Sequence, residues 1–403
     1  MDIFLQALIL IIFGGACWAF GDFLLGIFLP SRTPLSPGGR WSLSFALGNV
    51  AFSYLLMALG FAQLYRLWIF WLIFLGGAGL LIYRIYGKLG ERGPSSQTQG
   101  GDHAGRRAFV ILLGALIIFY LPTLLQAAAP PYARDSLVYH LLCPKEYLAQ
   151  GRIHYIPGNL YSAFPKGNEV ILTLLLGIAG DRAAQGFSIF QQMAAIGALH
   201  CLTRMFARPW VALFSTLGYA TVPPVVYFSG CAYVEPALLM ALGSSFLLLF
   251  FFSRFSEDRP IYPKELKIPF LLGFIAGWMP ALKYTGLIYL AVIALTLLYL
   301  LRRSPTPQAL KALGLMGVAA APGFGWFFWN WANLGNPVFP LAFTFWEGKE
   351  WDADRARVMS LFFSHFGMGH SLKDYLLLPW RLSFDGRFDT LAFDGALGPF
   401  LLF

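Results

Sequence analysis

Charge is what this 403-residue chain has least of. Asp, Glu, Lys and Arg together make up 12% of it, about half the fraction of an ordinary soluble domain. Cysteine is sparse too. Cys17, Cys143, Cys201 and Cys231 lie far apart with no CxxC pair, so neither a disulfide framework nor a metal site is indicated, and they read as small core residues. No HxxxH or HExxH spacing suggests zinc. GxxxxGK[ST], a strand-borne GxGxxG and the GxSxG elbow are also missing, which argues against a nucleotide-binding domain and a serine-hydrolase site. The opening Met1-Asp2-Ile3-Phe4 has no basic flank and no small-residue cleavage site follows it. The first apolar run therefore reads as a retained span and not a signal peptide.

Apolar residues fill the space. Hydrophobic types account for 58% and aromatics for 17%, and the mean hydropathy is +0.63. Runs of roughly 18 apolar residues or more recur, each long enough to cross a hydrocarbon layer of about 30 Å as a helix. Helices satisfy their own backbone hydrogen bonds in lipid, so the expected fold is an all-α, polytopic transmembrane helical bundle. Spans are expected near 3–29, 41–64, 67–84, 108–129, 183–203, 209–228, 235–253, 268–282, 284–301 and 310–329. Residues 1–107 would hold three leading spans and a polar linker, with Gly93-Pro94-Ser95-Ser96 in its middle; residues 108–403 would form a second unit.

Placing that linker in the cytoplasm puts sixteen Lys and Arg residues in loops on that side. The short turns on the other side keep only Arg66, Arg182 and Lys283. The net charge of +9 is then a matter of membrane orientation and not of nucleic-acid binding. The alternation holds only if the apolar stretch 168–180 does not cross. It is short for a span, and is expected to lie along the outer surface as a juxtamembrane helix. The outer loops are then 130–182, 229–235 and 330–394. The closing run from Gly395 to Phe403 has no polar flank and reads as a span cut short.

The polar segment Asp135–Glu169, stranded between apolar runs, is where chemistry on a lipid-borne substrate would sit. Asp135 reads equally as a helix N-cap and as a general base at the lipid–water boundary, with Arg134 as a local counter-charge. His140 and His154 share the loop, where lone histidines are usually structural, and His200 within a span is more so. Lys166 is a snorkelling anchor or a phosphate contact. Lys283 stands in a tight turn between two spans, and an ionisable group so close to hydrocarbon is a functional candidate. Glu235 precedes Pro236 at a helix start, where an acid is favourable in any case. Arg381 is a second candidate for phosphate; its charged neighbours in the late loop read as solvated faces.

In sequence order, Asp135-Ser136-Leu137-Val138-Tyr139-His140, Phe164-Pro165-Lys166-Gly167, Tyr233-Val234-Glu235, Lys283-Tyr284-Thr285-Gly286 and Gly335-Asn336-Pro337 carry a resemblance. Over roughly 108–403 the chain resembles the multi-span GT-C glycosyltransferases, particularly bacterial relatives of protein O-mannosyltransferase and the lipid A aminoarabinose transferase. The resemblance implies a GT-C-like bundle with external juxtamembrane helices in its first large outer loop. It implies inverting transfer of a sugar from a polyprenyl-phosphate donor to a glycan, lipid or protein acceptor, at the outer face of the cytoplasmic membrane. It makes Asp135 the catalytic acid–base group, Glu235 and His140 its organisers, and Lys166, Lys283 and Arg381 the donor-phosphate contacts. No nucleotide or other cofactor is implied, and no metal is indicated. Relatives often carry Arg where this chain has Trp329 before Asn330, so one phosphate ligand is lost or supplied by Arg381. The competing readings are a lipid or glycolipid transporter or flippase, and a non-catalytic scaffold subunit.

Overall fold

The computed structural model describes residues 2–29, 35–90, 103–256, 265–388, 390 and 392–399. Every regular element among them is helical. In chain order the α-helices are α1 (Ile3–Phe28), α2 (Pro37–Phe61), α3 (Leu67–Gly90), α4 (His103–Ala128), α5 (Leu142–Gln150), α6 (Glu169–Ile178), α7 (Asp181–Phe206), α8 (Pro209–Ala220) and α9 (Pro223–Ser229). They continue as α10 (Glu235–Ser256), α11 (Lys267–Ala276), α12 (Trp278–Leu282), α13 (Gly286–Leu301), α14 (Thr306–Ala320), α15 (Gly325–Leu334), α16 (Phe343–Trp346), α17 (Ala353–Ser364) and α18 (Leu372–Phe384). Local chemistry sets several starts. The Asp2 and Ser36 side chains cap α1 and α2 by accepting from Phe4 and Gly39 amides, and Pro37 opens α2 where its missing N–H costs nothing.

Six helical stretches are long and apolar enough to cross a membrane: Ile3–Phe28, Pro37–Phe61, Leu67–Gly87, Ala104–Ala128, Glu235–Arg254 and Thr306–Leu334. A seventh is added if α8 and α9, bent by 65° at their junction, count as one broken span. These are the helices of a multi-pass membrane protein. The ten expected spans do not all qualify. Lys267–Leu282 and Gly286–Leu301 are short apolar helices. The segment expected at 183–203 is a helix of full spanning length, but Gln185, Gln191 and Gln192 lower its hydropathy. All three are buried. The middle of the 85–107 linker, together with Arg32, Arg92, Arg259 and Lys264, lies outside the described residues.

α3 and α4 are the most exposed spans, with 17% and 22% of their apolar windows buried against 72% for α2. Apolar surface of that extent is incompatible with water and marks the lipid-facing side. α6 differs from the expectation of a surface-lying helix. Val170, Ile171, Leu172, Leu174 and Leu175 are all fully buried, so α6 packs among α2, α3, α5 and α7. A 10-residue apolar helix can be covered by protein as readily as by lipid, and hydropathy alone does not distinguish the two. One hydrophobic core runs through both halves of the chain and includes Phe13, Phe45, Phe187, Leu247 and Trp278.

The two ends of the bundle differ in chemistry. At one end, Arg40 (2.8 Å) and Arg84 both pair with the buried Asp22 and tie α1, α2 and α3 together. Ser36 meets Cys201 of α7 there, and Lys267 donates to the Ile27 carbonyl at 2.8 Å. At the other end the amides of Tyr65 and Ile153 bond to the carbonyls of Gly151 and Gly60, joining the loop after α5 to the end of α2. The polar segment 135–169 belongs to this second end.

Candidate functional site

α4 ends at Ala128, and the chain turns through Pro130-Pro131 into a π-turn over Ser136–His140, in which the Leu141 amide donates to Ser136 O at 2.8 Å. π-turns are rare and recur at functional sites. This one sends Asp135 and His140 to different depths. Asp135 stays half-exposed at the rim, whereas His140 is buried. Tyr139 bridges the levels, its hydroxyl donating to Asp135 Oδ2 at 2.7 Å.

Below the rim lies a buried cluster. His140 Nδ1 and Glu169 Oε1 are 2.7 Å apart, and Lys166 Nζ lies 3.8 Å from the same oxygen. All three side chains are almost completely enclosed. Lys166 Nζ also sits 4.7 Å from the centroid of the Tyr139 ring, a cation–π contact. Burial pushes the Glu169 carboxyl up, but Lys166 and His140 outweigh it and hold its pKa below the usual carboxylate range. As an ionised carboxylate only accepts, Nδ1 carries the imidazole proton. His140 Nε2 and Glu169 Oε2 have no hydrogen-bond partner among the described residues.

A polar thread through the bundle fixes the segment that carries Lys166. Gly167 N donates to Ala281 O at 2.7 Å, and Ser53 donates to Gly167 O while accepting from Trp278 Nε1. Gln191 of α7 donates to both Asn168 Oδ1 (2.8 Å) and Asn49 Oδ1 (3.1 Å), and Asn168 donates to the Tyr233 carbonyl. Gly167 is glycine for a spatial reason: a Cβ there would lie 2.8 Å from Ala281 O. Through these contacts, residues 166–168 and the turn bearing Lys283 are held as one piece.

Lys283 follows α12 and reaches Glu235 at the start of α10, with Nζ 3.1 Å from Oε1. The pair is partly open, with side chains 49% and 31% exposed. The Glu235 carboxylate raises the Lys283 pKa more than burial lowers it, so the ammonium persists at any physiological pH. Burial first, then the charges of Asp135 and Glu235, push the Tyr139 phenol well above its usual value, so it remains a donor.

Two cavities meet at Lys283. The outer, about 390 Å³, is lined by Arg134, Asp135, Tyr161, Tyr233, Lys283, Phe362 and Phe363 of α17 and Phe366 just after it. The inner, about 180 Å³, is lined by Tyr139, His140, Lys166, Glu169, Lys283 and Tyr284, and Phe363 again. The structure therefore brings together Asp135, His140, Lys166, Glu235 and Lys283. It does not bring Arg381 to them: that guanidinium bonds to Asp374 (2.8 Å) and the Met368 carbonyl. Nor does the 329–330 position supply a cation. Trp329 stacks on Phe61, and buried Asn330 donates to Ala163 O and the Tyr284 hydroxyl. His154 bonds to the Tyr155 carbonyl and His200 to Thr216, in keeping with structural roles.

Sequence reasoning missed Glu169, Tyr139 and Tyr233. Spacing offered a signal for the first two: Glu169 follows Lys166 by three residues, and Tyr139 follows Asp135 by four, which are same-face separations in a helical turn. No group of three or more His, Cys, Asp or Glu side chains among the described residues is placed to hold a metal ion. Comparison with family models, with curated proteins and with solved structures returned no match.

Proposed function

We propose that the protein is an inverting membrane glycosyltransferase with a GT-C-like site. It would move a sugar from a polyprenyl-phosphate donor to an acceptor hydroxyl at the outer face of the cytoplasmic membrane. The observation that carries this reading is that Asp135 and Lys283 face one open cavity, with a base and a cation on its wall and aromatic side chains between. Fold and comparisons name no family, so the reading rests on this chemistry and on the sequence resemblance.

The residues suit the reaction. The acceptor oxygen attacks the anomeric carbon from the face opposite the phosphate. Its proton passes to Asp135, the new C–O bond forms, and the bond to the phosphate oxygen breaks with its electron pair leaving on the lipid phosphate. Tyr139 holds one carboxylate oxygen of Asp135 and leaves the other to face the acceptor. Lys283 stabilises the negative charge that grows on the leaving phosphate, and does so more strongly than in bulk water because screening at the membrane rim is weaker. Lys166, neutralised by Glu169, forms the inner wall. The acids sit at one end of the bundle. A transporter would usually set its coupling charges near mid-bilayer on broken helices.

The test is transfer of labelled sugar from a panel of polyprenyl-phosphate donors by the purified full chain in liposomes. Asp135→Asn should lower turnover by about 10²- to 10⁴-fold with the thermal midpoint unchanged. Undiminished transfer by a folded Asp135→Asn protein removes the proposed base. Passage of the lipid across the bilayer without transfer points to a flippase instead.

A further inference from the structure

A cavity larger than either of the two at Lys283 is at the other end of the bundle. It measures about 780 Å³ and lies between the start of α2, the start of α4 and the end of α7. α4 and α7 run from one end of the molecule to the other, so this cleft is a helix length away from Asp135. Its chemistry is divided. The interior is apolar, with Phe109, Leu113, Met193 and Ile196 among its walls, while Arg106 and Arg204 stand at the ends of the helices that form it. No carboxylate lines it among the described residues. Leu113 and Phe109 are half-exposed and continue onto the bare face of α4, where Val110, Ile117 and Ile118 are 60%, 65% and 71% exposed. The cleft thus opens sideways onto the surface that faces lipid. Volumes of this size match small-molecule sites, and a basic pocket between membrane helices suits an anionic headgroup.

We propose that this cleft binds one anionic phospholipid from the arginine-side leaflet, with an acyl chain along Phe109 and Leu113 and its phosphate between Arg106 and Arg204. Two features point to a lipid and not to a soluble anion: the cleft is continuous with the lipid-facing helix surface, and its walls beyond the arginines are apolar. The site is independent of the acid cluster and of the transferase reading.

The experiment is native mass spectrometry of the delipidated full chain, titrated with phosphatidylglycerol or phosphatidylcholine of identical acyl chains. The expected result is a preference of about tenfold or more for phosphatidylglycerol, since two arginines near the membrane surface contribute that much attraction. Arg106→Gln, at an exposed position where folding is not at stake, should reduce the preference, and Arg106→Gln with Arg204→Gln should abolish it. Leu113→Trp should reduce retention of both lipids by filling the chain slot. Equal retention of the two lipids by the wild type overturns the proposal. So does a preference that survives the combined Arg106→Gln and Arg204→Gln change.

Discussion

Glu235 and Lys283 illustrate how little a partly open ion pair contributes to holding a fold and how much it contributes to a site. Pairs of this exposure contribute about 0–1 kcal/mol, yet this one fixes a cation on the wall of the outer cavity. Lys283→Ala should therefore leave stability within about 1 kcal/mol and reduce kcat for sugar transfer by about 10²-fold or more, with KM changing far less. A stability loss without a kinetic one would make Lys283 structural. Glu169 is the opposite case. It is enclosed, and its pKa lies below its ordinary value because Lys166 and His140 outweigh burial. A carboxyl depressed on folding contributes stability above its unfolded pKa and loses it as pH falls through the lower folded value. The unfolding midpoint of the detergent-solubilised wild type should thus fall once the pH drops below about 4.5. Glu169→Gln should already be destabilised at neutral pH, by about 3–5 kcal/mol, because it leaves the Lys166 ammonium buried beside a neutral amide. An equal acid loss in that variant would assign the effect to another carboxylate.

The element scale explains which parts of the site were legible. Asp135, Lys166, Glu235 and Lys283 stand out in sequence because each is a charge at the edge of an apolar run, where hydrocarbon leaves few other positions for one. Glu169 was hidden for the same reason that α6 was misjudged. As the first residue of an apolar stretch it reads as a favourable N-terminal acid, and hydropathy does not reveal that protein surrounds the helix on every side. Gln191 of α7 was likewise unreadable, because its partners Asn49 and Asn168 lie 142 and 23 residues away. Charged residues report themselves, whereas the neutral network that positions them is a product of tertiary structure. Gly167 is where that network is most sensitive. A methyl group at this position would press on Ala281 O, two residues before Lys283, and push apart the two segments that carry the cations. Gly167→Ala should cost about 1–3 kcal/mol in stability, the usual range for overpacking, and should also lower sugar transfer. A compensating change at Ala281 cannot relieve a clash with its backbone oxygen, so Ala281→Gly should not restore activity. Restoration would mean that side-chain crowding alone was at fault.

At the scale of the whole molecule, the separation of the two ends is what makes a membrane reading coherent. Arginines gather around Asp22 and the lower cleft, and the acid–base cluster gathers at the other end. Between them, α3 and α4 present exposed apolar surface of the extent that membrane contact calls for. Charge bias orients such proteins with their basic loops inward, and the proposed orientation accordingly has residue 135 on the outer side and residue 208 on the inner. Single-cysteine labelling decides the matter cleanly here because all four native cysteines are buried and contribute a low background. Arg152→Cys, in the loop after α5, should react with a membrane-impermeant maleimide added to intact cells. Arg208→Cys, before α8, should react only after the membrane is opened. Ile118→Cys, 71% exposed on α4 in the absence of lipid, should resist both treatments, since hydrocarbon shields it and suppresses the thiolate that reacts. If positions 152 and 208 are labelled from the same side, the two ends do not face opposite compartments and the outward placement of Asp135 is lost. If Ile118→Cys reacts freely in intact cells, α4 faces water, and both the lipid cleft and the transferase geometry lose their membrane.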